Sequence, residues 1–177
     1  MKTPLMMIIN PAAGKGGFKR SLPDALRLLS DAGYAVSLYF TECRGHATEL
    51  ATQYAGAFPY LLVLGGDGTL AEAIAGLMPL AERPKVGYIP IGTANDVART
   101  IGLPKNDILA GAQHLLTARP TNLTRAGATA DISTMSRPSA RSPRSATQRR
   151  RRQKSSWARR RICWARSRAF QPSKAAM

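Results

Sequence analysis

Tyr60-Leu61-Leu62-Val63-Leu64-Gly65-Gly66-Asp67-Gly68-Thr69 decides how this chain is read. Five consecutive apolar residues running into glycines predict a buried strand that ends in a tight turn. Glycine lets backbone N–H groups close on an anion with no Cβ in the way, and a helix starting there adds the positive end of its dipole. An aspartate inside such a turn repels a bare phosphate. Its presence makes sense where a Mg²⁺ ion or a proton transfer must be managed. The stretch points to phosphate chemistry.

The flanking sequence repeats the pattern. Residues 5–9 predict a buried strand closed by Asn10-Pro11 and a glycine-bearing loop, and Leu22, Ala25, Leu26, Leu28 and Leu29 recur at helical spacing up to Asp31-Ala32-Gly33. Residues 34–40 alternate as a strand, and 46–54 and 70–77 read as helices on either side of the quoted strand. Residues 86–89 give a fourth strand, and Pro90-Ile91-Gly92-Thr93-Ala94-Asn95 a second loop, leading into a helix over 96–101. A last helix covers 108–117. Strands alternating with helices at this spacing specify an α/β fold, a parallel sheet with helices on both faces. Ligands in such folds sit at the carboxyl ends of the strands, where the glycine-bearing loops converge.

Charge divides the chain. The net charge is +16, but residues 1–118 carry ten Lys/Arg against nine Asp/Glu, whereas 119–177 carry sixteen against one. The basicity belongs to the tail and does not make the first part a nucleic-acid binder. After about Pro120 apolar periodicity stops, and Arg, Ser, Ala and Pro dominate, with Arg149–Arg152 and Arg159–Arg161 as charge runs. Such text cannot bury enough apolar area to offset its ordering entropy, so 119–177 is expected to be a disordered basic tail and 1–118 a domain. Cys43 and Cys163 fit no metal or redox spacing. No leader is visible and no stretch approaches the about 20 apolar residues of a membrane span, so a cytoplasmic location is expected.

Two common motifs do not fit. Gly14-Lys15 lacks the spacing of a Walker A loop. Gly66-x-Gly68-x-x-Ala71 matches the dinucleotide fingerprint, but no acidic residue ends the next strand to hold a ribose.

The ordered set is more specific. Asn10-Pro11-Ala12-Ala13-Gly14 follows the first strand, and Thr41 with Gly45-His46-Ala47 follows the second. Gly65-Gly66-Asp67-Gly68-Thr69 with Glu72 follows the third, and Pro90-Ile91-Gly92-Thr93-Ala94-Asn95-Asp96-Val97-Ala98-Arg99 the fourth. In this order residues 3–118 resemble the catalytic domain of the diacylglycerol kinase family, especially the bacterial soluble lipid kinases. NAD kinases and 6-phosphofructokinases are similar at the glycine turn but lack the last phrase.

The resemblance implies ATP-dependent phosphorylation of a lipid hydroxyl with Mg²⁺, and transient contact with a membrane face. It places nucleotide contacts on Asn10, Pro11, Ala12, Ala13, Gly14, Thr41, Gly66, Asp67, Gly68, Thr69, Leu70, Ala71, Glu72 and Thr93, with Asp67 positioning Mg²⁺–ATP. It puts no catalytic residue in this chain, because the general base resembles a feature of a second, β-rich domain. Plainer readings stand beside these. Asn95 and Asp96 could cap their helix. Glu72 could be a solvated first-turn carboxylate. Lys15, Lys19 and Arg20 could form a solvated face, and His46 and His114 are lone histidines. Arg99 could steer an anion or complement a helix end.

The tail suggests its own origin. Read two nucleotides later, Asp131-Ile132-Ser133-Thr134-Met135-Ser136 permits Tyr-Phe-Asn-Tyr-Val, and the text through Ala146 permits an alternating apolar pattern. A β-rich second domain would begin in this way. A change of reading frame between about 119 and 131 is therefore expected, leaving a truncated and impaired kinase. Two alternatives remain: a kinase of a soluble acceptor, as in NAD kinase, and a basic module gripping nucleic acid or anionic membrane through the tail. No specific nucleic-acid partner is expected.

Overall fold

A computed structural model describes residues 1–14, 18–117, 121–125 and 128–132. Chain order gives β1 (Thr3–Ile9), α1 (Phe18–Asp31), β2 (Tyr34–Phe40) and α2 (His46–Tyr54), then a 3₁₀ turn at Ala55–Ala57. There follow β3 (Tyr60–Gly65), α3 (Asp67–Leu77), β4 (Lys85–Pro90), α4 (Asp96–Thr100), α5 (Ile108–Thr117), β5 (Thr121–Arg125) and β6 (Ala128–Ile132). The sheet order is β2-β1-β3-β4-β6-β5. The first four strands are parallel throughout, with Leu5 paired to Tyr60 and Tyr60 to Lys85.

Alternation along the strands divides the core. Met6, Ile8, Leu61, Val63, Val86 and Tyr88 point to one face, where Ala47, Leu50 and Ala51 of α2, Leu70, Ala73 and Leu77 of α3 and Ala98 of α4 cover them. Leu5, Met7, Ile9, Leu62, Leu64 and Ile89 point to the other, beneath Ala25 and Leu29 of α1 and Ile108, Ala112 and Leu115 of α5. A parallel strand buried on both sides reads as a continuous apolar run, which is why 60–64 carries no polar residue. On the first face α2 and α3 approach closely at Gly76. A Cβ there would lie 2.4 Å from the Thr48 carbonyl oxygen, and the Thr48 and Thr52 hydroxyls donate to the Glu72 and Gly76 carbonyls.

The sheet runs past the boundary expected at 118. β6 lies parallel to β4 at the Val86–Ile132 pair, and β5 pairs antiparallel to β6. These strands carry little apolar text, and Thr121, Thr124, Thr129 and Ile132 supply the β-branched residues that suit a pleated surface. Net charge and apolar periodicity are both blind to that signal. Residues 121–125 and 128–132, read as part of the tail, thus form β5 and β6, and 133–177 lie outside the described residues. Helix α3 also begins three residues before the expected start, so Asp67 is its first residue rather than part of the turn. No described helix is long and apolar enough to cross a membrane.

Candidate functional site

The chain leaves β1 to one side for β2 and returns to the other for β3, so the loops after β1 and β3 diverge at the switch point of the sheet. Crevices of doubly wound sheets open there. Four strand ends meet around it: Asn10, Thr41, Gly65–Gly66 and Pro90–Ile91. Backbone hydrogen bonds set them side by side, from Asn10 N–H to the Leu64 carbonyl, Thr41 N–H to Ile9 and Ile91 N–H to Gly65, each 2.9 Å.

The loops are then locked to one another. The Asn10 side chain donates from Nδ2 to Thr69 Oγ1 at 2.9 Å, and its Oδ1 accepts the Ala12 N–H at 3.0 Å. One side chain therefore shapes the first loop and ties it to the first turn of α3. Gly14 has φ +68°, and a Cβ there would lie 2.2 Å from the Ile91 carbonyl oxygen. The first loop rests directly on the fourth. A Cβ on Gly92 would lie 2.7 Å from the Gly66 Cα and 2.8 Å from Asn95 Oδ1, so the third and fourth loops touch through bare backbone.

Asp67 completes the lock. Its Oδ2 accepts the Asp96 N–H at 2.7 Å and its Oδ1 the Val97 N–H at 3.3 Å. These are orphan donors of α4, which a residue 29 positions upstream caps in place of its own neighbours. Asn95 stands at the N-cap position, but its side chain makes no capping bond. It adopts a left-handed conformation (φ 52°), is 1% exposed, and donates from Nδ2 to the Gly92 carbonyl at 2.6 Å. The capping reading of Asn95 is therefore corrected, and that duty falls to Asp67. Asp96 is exposed and 3.5 Å from the Arg99 guanidinium, an exposed pair of little energetic consequence.

Beneath the carboxylate sits Tyr88, fully buried in β4, its hydroxyl 3.4 Å from Asp67 Oδ1 and 3.5 Å from Asn95 Oδ1. Burial, then the negative charge of Asp67 and the hydrogen bond to it, push this phenol well above its ordinary range. By sequence, Tyr88 falls in the fourth strand with no role assigned to it. The available signal was a polar-tipped aromatic in the otherwise aliphatic text Val86-Gly87-Tyr88-Ile89.

Gly68 behaves unlike its neighbours. It needs no positive φ, it is exposed, and a Cβ added to it would meet nothing within 4 Å. It keeps open the space over the first turn of α3, where orphan N–H groups and the helix dipole face outward.

The other expected contacts divide by depth. Pro11, Ala12, Gly14 and Thr93 are exposed, and Ala13, Gly66, Ala71 and Glu72 are half-buried. Thr41 and Thr69 are buried. Leu70 stands apart: its side chain joins the core and its N–H donates to the Gly66 carbonyl at 3.1 Å. His46 is not alone, since its Nδ1 accepts the Glu42 N–H at 3.0 Å. No three His, Cys, Asp or Glu side chains stand together as a metal cluster among the described residues.

Comparison with known proteins agrees with this geometry. A family model for the diacylglycerol kinase catalytic domain matches residues 4–126. A diacylglycerol kinase of Bacillus subtilis (strain 168) is 42% identical over 120 residues, 66% of this chain and 40% of the relative. One from Staphylococcus aureus (strain bovine RF122 / ET3-1) is 41% identical over 124 residues, 70% of this chain and 39% of the relative. A crystal structure of a diacylglycerol kinase from Bacillus anthracis str. Sterne superposes with a TM-score of 0.60 at 32% identity, over 68% of this chain and 42% of that one. The chain spans about two fifths of the length of the curated relatives it matches. In sequence, in the order of its strands and in the loops they carry, it belongs to the diacylglycerol kinase catalytic domain family.

Proposed function

We propose that this chain is the ATP-holding part of a lipid kinase that phosphorylates a hydroxyl such as that of diacylglycerol, with the nucleotide in the crevice between the loops after β1 and β3. The observation that carries this reading is the open first turn of α3 at Gly68, framed by three loops whose backbones are fixed against one another.

Each residue has a part in it. The N–H groups of Asp67, Gly68 and Thr69 would receive phosphate oxygens, as helix N-termini do. Asn10 orients Thr69, whose hydroxyl proton stays available because its oxygen is the acceptor of that bond. The Asp67 charge, which would repel phosphate if it faced the crevice, is offset by the α4 donors. A carboxylate has about four acceptor sites; the Asp96 and Val97 N–H groups and the Tyr88 hydroxyl face three of them, so one on Oδ2 is left to hold a water of a Mg²⁺ shell. Bound Mg²⁺–ATP would supply the phosphoryl group and neutralise the charge developed in its transfer. Positioning is the contribution of these residues, and the base that takes the acceptor proton is assigned to a second domain.

We further propose a change of reading frame between about residues 119 and 131, since the frame that permits Tyr-Phe-Asn-Tyr-Val is in register by 131. Transfer from such a chain is expected to be slow. Radiolabelled ATP offered with diacylglycerol in mixed micelles, and separately with NAD, tests the acceptor class in both the present chain and a frame-restored version. Label in the lipid supports the reading. Label in NAD alone would move the chain to a soluble acceptor, and stop codons soon after codon 131 in the shifted frame would remove the frame change.

A further inference from the structure

Two loops that meet the crevice depend on one buried hydroxyl. Tyr88 lies on the α2–α4 face of the sheet, its ring in the core and its Oη between Asp67 Oδ1 and Asn95 Oδ1. The Asn95 amide is fixed by donation from Nδ2 to the Gly92 carbonyl, which leaves Oδ1 turned to Tyr88 as an acceptor. Asp67 is likewise an acceptor, with Val97 N–H on the same oxygen. A phenol has a single proton, and here it faces two acceptors at nearly equal distance. The hydroxyl thus stands between Asp67 in the first turn of α3 and Asn95, whose amide reaches the Gly92 carbonyl of the loop that touches Gly66.

We propose that Tyr88 is a positioning residue for the metal-bound nucleotide, its buried hydroxyl aligning the Asp67 carboxylate and coupling it to the Asn95 loop. This rests on the reading that the crevice holds Mg²⁺–ATP. The hydroxyl would fix Oδ1, which it shares with the Val97 N–H, while the Asp96 N–H fixes Oδ2. With the hydroxyl and the Val97 N–H on Oδ1 and the Asp96 N–H on Oδ2, one acceptor site of Oδ2 is left, and it would take a water of the hydrated ion. Without the hydroxyl, the carboxylate keeps its α4 donors and loses this alignment. Nucleotide contacts made by the α3 backbone do not pass through Tyr88.

The test is nucleotide binding by the full chain, parent against Tyr88→Phe, with ATP in Mg²⁺ and with ATP in EDTA. The expected result is about a tenfold loss for Mg²⁺–ATP, equivalent to about 1.4 kcal/mol, and a change of less than about twofold in EDTA. In an Asp67→Asn background the same substitution should change Mg²⁺–ATP binding by less than about twofold, because the residue acts through Asp67. Equal losses with and without Mg²⁺, no loss in either, or an undiminished effect beside Asp67→Asn would overturn the proposal. If the parent itself fails to bind Mg²⁺–ATP, the reading of the site falls and this proposal with it. Should Tyr88→Phe not fold, the near-UV difference spectrum of Asp67→Asn against the parent decides. A tyrosine band shift is expected, and a flat spectrum refutes the coupling.

Discussion

Gly68→Ala separates stability from function. Gly68 is the second residue of α3, it is exposed, and an added Cβ would find no atom within 4 Å. Replacing a helical glycine by alanine reduces the freedom of the unfolded chain and gains about 0.5–1 kcal/mol inside a helix. In a first turn we take about 0.5 kcal/mol, which for a domain of this size raises Tm by about 2 °C. The same methyl group enters the space in which a phosphate oxygen would approach the α3 N–H groups. Displacing that oxygen forfeits at least one charge-assisted hydrogen bond, about 1.5–3 kcal/mol, or a loss of about ten- to a hundredfold in ATP affinity. Thermal unfolding without ligand and calorimetric titration with Mg²⁺–ATP measure the two effects on one sample. A ligand-free chain that is destabilised, or an unchanged affinity, would refute the reasoning that this glycine serves a ligand rather than the fold.

Gly76→Ala should show the opposite sign. Its Cβ would lie 2.4 Å from the Thr48 carbonyl oxygen and 2.7 Å from the Ala51 Cβ, so urea unfolding should show a loss of about 2–3 kcal/mol despite the better helix propensity of alanine. Asp67→Asn should cost about 1–2 kcal/mol in the ligand-free chain and speed amide exchange at Asp96 and Val97, because it replaces an acceptor of α4 donors with a competing N–H group. At high pH the buried tyrosines dominate. Burial first, then its Tyr60 neighbour, raises the Tyr34 phenol to about 12, and Tyr88 is raised as well. Unfolded tyrosines ionise near 10, so the unfolded state holds fewer protons between about pH 10 and 12 and stability falls across that window. Tyr34→Phe should flatten that fall in a pH series of Tm. Residues 133–177 carry fourteen Lys/Arg and no Asp/Glu, so any salt-sensitive binding to DNA or anionic vesicles should disappear when they are deleted.

Much of this was legible in the residues. The unbroken apolar run 60–64 and its glycine turn gave the central strand and the position of the crevice, because a strand buried on both faces admits no polar residue. The helices on both faces followed from spacing. β5 and β6 were not legible, since β5 is an edge strand that needs few apolar residues, and Thr-rich text beside arginines resembles a linker. Nor was the use of Asp67. Its charge suggested a metal, but no local pattern announces that a carboxylate will cap a helix 29 residues downstream. Such a contact depends on the register of β3 against β4, where Gly65 pairs with Pro90. Tyr88 was missed for the same reason, as its partners are set by tertiary structure alone.

The most direct measurement is an amide NMR titration of the ¹⁵N-labelled chain with Mg²⁺–ATP. The account predicts saturable binding with a Kd at or below about 1 mM, with the largest shifts at Asp67, Gly68 and Thr69 and in the loop from Asn10 to Gly14. Absence of binding at that concentration, or shifts gathered on a surface away from the crevice between β1 and β3, would contradict it.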